Sequence, residues 1–230
     1  MSAELVETAA SALGPIADEV VFLGGASIHL WITDPAAPPT RTTEDVDVIS
    51  EVTSLASYYS LGERLRDRGF VEASDSDVIC RWRHAETGLL VDVMPQDEAV
   101  LGFSNRWYPT AIATATNLTL GNGMAIRSAT PPSIVATKLA AWKGRGGGDA
   151  LTSLDLHDIV VLVDGRAELA PEIAGSDGQL RNYVVSGFRV LLEDRNLDYL
   201  LASALHGHGV LADERAARSK KIMGEIAGRD

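Results

Sequence analysis

The chain has 230 residues, 46% apolar and 23% charged, the composition of an ordinary globular protein of one or two domains. With 32 Asp and Glu against 20 Lys and Arg, its formal net charge is −12. That excludes a broad nucleic-acid coat or a binder of anionic membranes, since both need a cationic face, but leaves room for a local basic site.

The first 130 residues show strands and helices in alternation. Leu5, Ala9 and Leu13 share one helical face, which predicts a helix over 3–13. The apolar run 20–23 predicts a buried strand that meets a tight turn at Gly24-Gly25. A second helix is expected over 26–32, ended by the loop that Pro35, Pro38 and Pro39 force. Val46, Val48 and Ile49 predict a strand that carries Asp45 and Asp47. Leu55, Tyr58, Tyr59, Leu61 and Leu65 predict a helix over 55–68. Residues 78–83 and 89–94 form an expected hairpin across 85–88, and 118–120 and 124–126 a second one across Gly121-Asn122-Gly123.

After Pro131-Pro132 the pattern turns helical. Proline suits a first helical turn, so a helix is expected over 133–143, with others over 152–163, 178–193, 196–205 and 213–227. Charge changes at the same place. Residues 1–130 hold 18 acids against 8 bases, and 131–230 hold 14 against 12. All four lysines, at 138, 143, 220 and 221, fall in the later part. The expected organisation is an α/β domain over 1–130 and a helical domain over 131–230, of α+β class overall.

Cys80 is the only cysteine, so no intrachain disulfide can form and a reducing compartment is the simplest setting. The start Met1-Ser2-Ala3-Glu4 lacks the early base and apolar stretch of a secretory signal, and the apolar run 159–163 is far too short to span a bilayer. A cytoplasmic protein with no membrane partner is expected.

The sharpest chemical feature is Asp45-Val46-Asp47. Residues two apart on a strand share a face, so the two carboxylates project side by side while Val46 and Val48 point to the core. Adjacent carboxylates resist ionising together unless a cation lies between them, and a hard divalent ion is the usual partner of clustered oxygens. Asp92 sits alone in the apolar run 89–94, where an ionised acid is costly without a partner. If the two strands are neighbours, the three acids could hold two metal ions; the plain alternative is a solvated strand face. Gly24-Gly25 lets backbone approach a phosphate closely, or serves only the turn. Lys138, Trp142 and Arg145 share a helical face and could grip a triphosphate, or form a solvated basic stripe. Thr152-x-x-Asp155 fits a capping box, which leaves Asp158 as the partner for Lys138. The stretch 144–148 is read as a helix connection and not a P-loop, because no Lys-Ser/Thr follows it. His206 and His208 have no third ligand nearby in sequence for a zinc site, and the four tryptophans are read as packing residues.

In order, Gly24-Gly25, Arg41-x-Thr43-x-Asp45-Val46-Asp47, Asp92 in a strand, the lysine helix from Lys138 to Arg145 and Asp155-Leu156-His157-Asp158 resemble the nucleotidyltransferase superfamily of DNA polymerase β. Within it they are most similar to the AbiEii-type toxins of toxin–antitoxin systems. The likeness covers most of residues 20–165. It implies a nucleotidyltransferase-like mixed β-sheet with flanking helices, followed by a C-terminal helical bundle. It also implies metal binding by Asp45, Asp47 and Asp92, with Mg²⁺ or Mn²⁺ as cofactor and a nucleoside triphosphate, such as ATP, as co-substrate. Lys138 and Asp158 would join those acids as catalytic residues. Gly24, Gly25, Ser27, Arg41, Thr43, Lys138 and Arg145 would bind the nucleotide. RNA, such as a tRNA end, would be the acceptor, and a cognate antitoxin a partner. Compact members of the superfamily carry a Gly-Ser pair closer to the aspartates; here no serine follows Gly24, and Ser27 is the nearest substitute. Two other readings follow from the same residues: a small-molecule nucleotidyltransferase of the antibiotic-modifying kind, which the net acidity favours, and a non-catalytic interaction module on the same scaffold.

Overall fold

In the computed structural model, residues 2–74, 76–145, 150–205 and 211–229 are described. They form seven strands in one mixed sheet and eleven α-helices, an α+β architecture. The chain divides into two compact units, one of Met1–Ser27 and Arg41–Thr130, the other of Ile28–Thr40 and Pro131–Asp230.

The first unit holds the whole sheet. Its centre is β1 (Val20–Leu23) and β2 (Asp45–Ser50), antiparallel neighbours. Every residue of β1 is buried, which is why its sequence is a continuous apolar run without alternation. On the far side of β2 lies β5 (Leu90–Pro95), parallel to it, so the strand of Asp92 is indeed the neighbour of the strand of Asp45 and Asp47. The sheet continues through β4 (Arg81–His84) to the edge strand β3 (Phe70–Glu72), and on the other side of β1 through β7 (Ala125–Ser128) to β6 (Thr116–Thr119). Both expected hairpins are present, as β4–β5 and β6–β7. The first is shorter than expected: Val78 and Ile79 stay outside the ladder, and both are exposed.

Helix α1 (Ser2–Leu13) buries Val6, Ala9, Ala10 and Leu13 and packs against β2 and the one-turn helix α2 (Gly24–Ser27). Helix α3 (Leu55–Asp67) starts at Ser54, whose hydroxyl accepts from the Ser57 amide, and buries Tyr58, Leu61 and Leu65. Leu55 and Tyr59 are exposed, so its apolar face is narrower than the spacing suggested. The single helix expected over 26–32 is instead α2 followed by a 3₁₀ turn at Ile28–Trp31. β3, α4 (Glu98–Leu101) and α5 (Tyr108–Ala113) had no counterpart in the sequence reading, being only three to six residues long.

The second unit is helical. Its hub is α6 (Pro131–Gly144), buried from Pro131 through Leu139, packed against α7 (Leu154–Gly165) and α9 (Gly178–Leu192). Helices α8 (Leu169–Ala174), α10 (Leu197–Ala204) and α11 (Leu211–Ala227) complete it. The segment Ile28–Thr40 belongs to this unit because its backbone is tied down there. The Thr33 and Asp34 amides donate to the Gly165 carbonyl at 2.9 and 3.0 Å, and Arg166 donates to the Trp31 carbonyl at 2.9 Å. The capping expectation is corrected: Ser153, not Thr152, caps α7, its hydroxyl accepting from the Leu156 amide. Residues 146–148 of the glycine stretch and His206-Gly207-His208 lie outside the described residues. Among the described residues no helix is long and apolar enough to cross a membrane.

Candidate functional site

Strand register gathers the three predicted carboxylates. Asp47 on β2 is the Cα partner of Asp92 on β5, and Asp92 is in turn the partner of Arg81 on β4. On its other side Asp47 faces Leu23, the last residue before Gly24. Arg81, Asp92, Asp47 and the glycine turn therefore form one row across the sheet. Asp45, two residues before Asp47, lies on the same strand face.

Charges in this row are not left bare. The Arg81 guanidinium forks Asp92: Nε donates to Oδ1 at 2.7 Å and Nη2 to Oδ2 at 2.8 Å. The same Nη2 also reaches the Asp45 carboxylate. Asp92 is 9% exposed in its side chain and Asp45 32%, so burial deepens along the fork. Hydrogen bonding to Asp92, with the nearby charges of Asp92, Asp45 and Asp47, holds Arg81 more firmly protonated than an ordinary arginine. Cys80 is the opposite case. Burial first, then the negative charges of Asp92 and Asp47, push its thiol up to about 12, so it is no nucleophile.

The glycine pair makes room for its neighbours. Gly24 has φ +77°, in the left-handed region, and a Cβ there would lie 1.8 Å from Asp47 Oδ2. A Cβ on Gly25 would lie 2.5 Å from Arg41 Nη2 and 2.9 Å from the Thr43 methyl. Glycine is needed so that Asp47, Arg41 and Thr43 can close onto this backbone. The helix that follows has a single turn, too short for the phosphate-binding helix start that the glycines suggested. Ser27 is corrected as well. It is fully buried and its hydroxyl donates to the Leu23 carbonyl at 2.8 Å, leaving no proton for a phosphate. Thr43 contrasts with it: its buried hydroxyl has no hydrogen-bond partner, an exception that needs a reason in a folded protein.

The second unit carries the other predicted residues. Lys138 is buried on α6 and its ammonium donates to Asp158 Oδ2 at 2.7 Å. Asp155 is not spent on capping: it lies 3.6 Å from the same ammonium and also accepts from Arg145. Two acids thus answer two bases. The Arg145 side chain is 69% exposed at the end of this chain of charges. Lys143 points elsewhere, its ammonium 4.7 Å from the Tyr183 ring centre. All four tryptophans are buried, as packing residues should be.

Arg81 is the residue that sequence reasoning missed. Its signal was present in the hairpin: with His84 bonded to Leu89 across the turn, counting outward sets Arg83 against Leu90 and Arg81 against Asp92. Among the described residues no group of three His, Cys, Asp or Glu is arranged to hold a metal ion. No family model matches the chain, and no curated protein matches it.

Proposed function

We propose that the protein is a metal-dependent nucleotidyltransferase, moving a nucleoside monophosphate from a nucleoside triphosphate to a hydroxyl acceptor with release of pyrophosphate. The observation that carries this reading is the direct pairing of Asp47 with Asp92 across two parallel strands, with Asp45 on the same face. Three ionisable acids in such a place call for a cation. Asp45, Asp47 and Asp92 would hold the metal, and they fit in kind: hard oxygen donors, with a guanidinium already standing where positive charge is wanted. Thr43, whose methyl faces Gly25 and whose buried hydroxyl has no hydrogen-bond partner, is a further group that a ligand could satisfy.

Bound Mg²⁺ or Mn²⁺ would neutralise the triphosphate and acidify the acceptor hydroxyl. Asp92, the most buried of the three, takes the acceptor proton on a carboxylate oxygen. The freed acceptor oxygen then bonds to the α-phosphorus in line, and the bond to pyrophosphate breaks. Arg41 and Thr43, against Gly25, hold the nucleotide. In the helical unit Asp158 fixes the Lys138 ammonium; a part for this lysine in neutralising the leaving phosphates is what the superfamily resemblance implies. Positioning and charge compensation supply most of the catalysis in such transfers. An RNA end is the acceptor, in a toxin-like role with a cognate antitoxin; the small-molecule reading differs only in the acceptor.

One observation favours a second reading, a non-catalytic module: Asp45 and Asp92 are already paired with an arginine. An α-labelled nucleoside triphosphate, Mg²⁺ and either total RNA or a panel of small hydroxylated acceptors separate the readings. Label on RNA that is lost in Asp45→Ala supports the proposal. Label on small molecules alone supports the antibiotic-type enzyme. No transfer from any nucleotide supports the module, and full activity in Asp45→Ala overturns the metal assignment.

A further inference from the structure

We propose that Arg81 is an internal cation that occupies the carboxylate row when no metal is bound, so that a divalent ion must displace it to enter. The inference rests on the metal-dependent reading above.

Asp92 is nearly enclosed, and an ionised carboxylate in such a place is stable only with a partner. Its register neighbour on β2 is Asp47, a like charge, and its register neighbour on β4 is Arg81. Without Arg81 the row would set three carboxylates together with no cation forked to Asp92. With it, both Asp92 oxygens and one Asp45 oxygen accept from a single guanidinium. These are oxygens that a metal would need. An ion reaches them against the positive charge of Arg81, or after the fork opens.

The side chain reaches solvent. Arg81 is 19% exposed, and it sits on β4, outside the β2–β5 pair that carries the acids. One guanidinium is shared between both Asp92 oxygens and an Asp45 oxygen.

Competition has a definite sign. Removing the guanidinium charge should strengthen metal binding, although Arg81 touches the very acids that bind. A residue that merely holds the site in shape would do the reverse. The test is a Mn²⁺ titration of the full-length protein, read by calorimetry and by loss of the free-ion resonance signal, without nucleotide. The variants are Arg81→Gln, Arg81→Lys and Asp92→Asn. Arg81→Gln should bind Mn²⁺ about tenfold more tightly than wild type, because the opposing charge is gone. Arg81→Lys, which keeps the charge but loses the fork, should fall between the two, and Asp92→Asn should bind more weakly than wild type. Without metal, Arg81→Gln should also melt below wild type, and saturating Mn²⁺ should close that gap. If Arg81→Gln does not fold, Arg81→Lys decides: tighter binding than wild type supports the competitor, unchanged or weaker binding overturns it. Equal or weaker Mn²⁺ binding in Arg81→Gln overturns the inference while the metal-dependent reading stands. No binding by wild type or any variant overturns both.

Discussion

The two units use buried charge in opposite ways. In the helical unit, Asp164 is fully enclosed and accepts from Arg215 and Arg218, which also reach Asp34; two acids meet two bases. Lys138 and Arg145 meet Asp155 and Asp158 with the same balance. In the sheet unit, Asp45, Asp47 and Asp92 share one row, and Arg81 is forked to just one of them while touching a second. A balanced cluster completes itself and fixes structure. A row in which one guanidinium is shared between two carboxylates is one where a second cation can compete. On the function proposed above, the sheet unit is the place for chemistry, and most of the net acidity lies in residues 1–130.

Substitutions can break this comparison. The largest effect is expected in the row. Asp47→Asn should lower nucleotide transfer on the order of 10³-fold, while unfolding in denaturant shifts far less. A large loss of stability with activity intact would reverse the contrast. Next comes the balanced cluster: Asp164→Ala leaves Arg215 buried with only Asp34, and should cost about 3–5 kcal/mol of unfolding free energy. A smaller effect is expected for Gly24→Ala. The left-handed backbone alone costs about 1–2 kcal/mol, and the new methyl would collide with Asp47, so melting temperature and activity should fall together.

The smallest effect sharpens the contrast by pH. The Ala36 amide, then Arg218 and Arg215, hold the Asp34 carboxyl below its ordinary range against the cost of burial. A depressed folded value means that the stabilisation is present above the unfolded value, about 3.9, and is lost as pH falls through the folded one. Asp34→Asn should therefore flatten the acid limb of a stability–pH curve. An unchanged acid limb would show that this network does not contribute there.

Much of this was legible in the residues. The apolar run of β1, the Asp-interrupted runs of β2 and β5 and the long helices α6, α9 and α11 carry strong patterns, and each is found where the pattern lay. Three acids on two strands could be picked out because a lone acid in an apolar strand has no other cheap explanation. That β2 and β5 are neighbours was not legible, since pairing of distant strands is a tertiary matter. β3, α4, α5 and α8 were missed because three to six residues cannot display a period. The assignment of Ile28–Thr40 to the helical unit was hidden too. It depends on backbone bonds to Gly165, more than 130 positions away, and not on any local shift in composition. What the glycine pair makes room for was hidden as well: Asp47, Arg41 and Thr43 fold back on it, which spacing alone does not reveal.

The central claim, that the carboxylate row is a metal-dependent nucleotide site, is tested most directly by calorimetric titration of each nucleoside triphosphate with and without Mg²⁺. Wild type should bind at least one nucleotide tightly only when Mg²⁺ is present, and Asp47→Asn should lose that metal-dependent binding while keeping its fold. Binding that ignores Mg²⁺, or that survives in Asp47→Asn, would contradict the account.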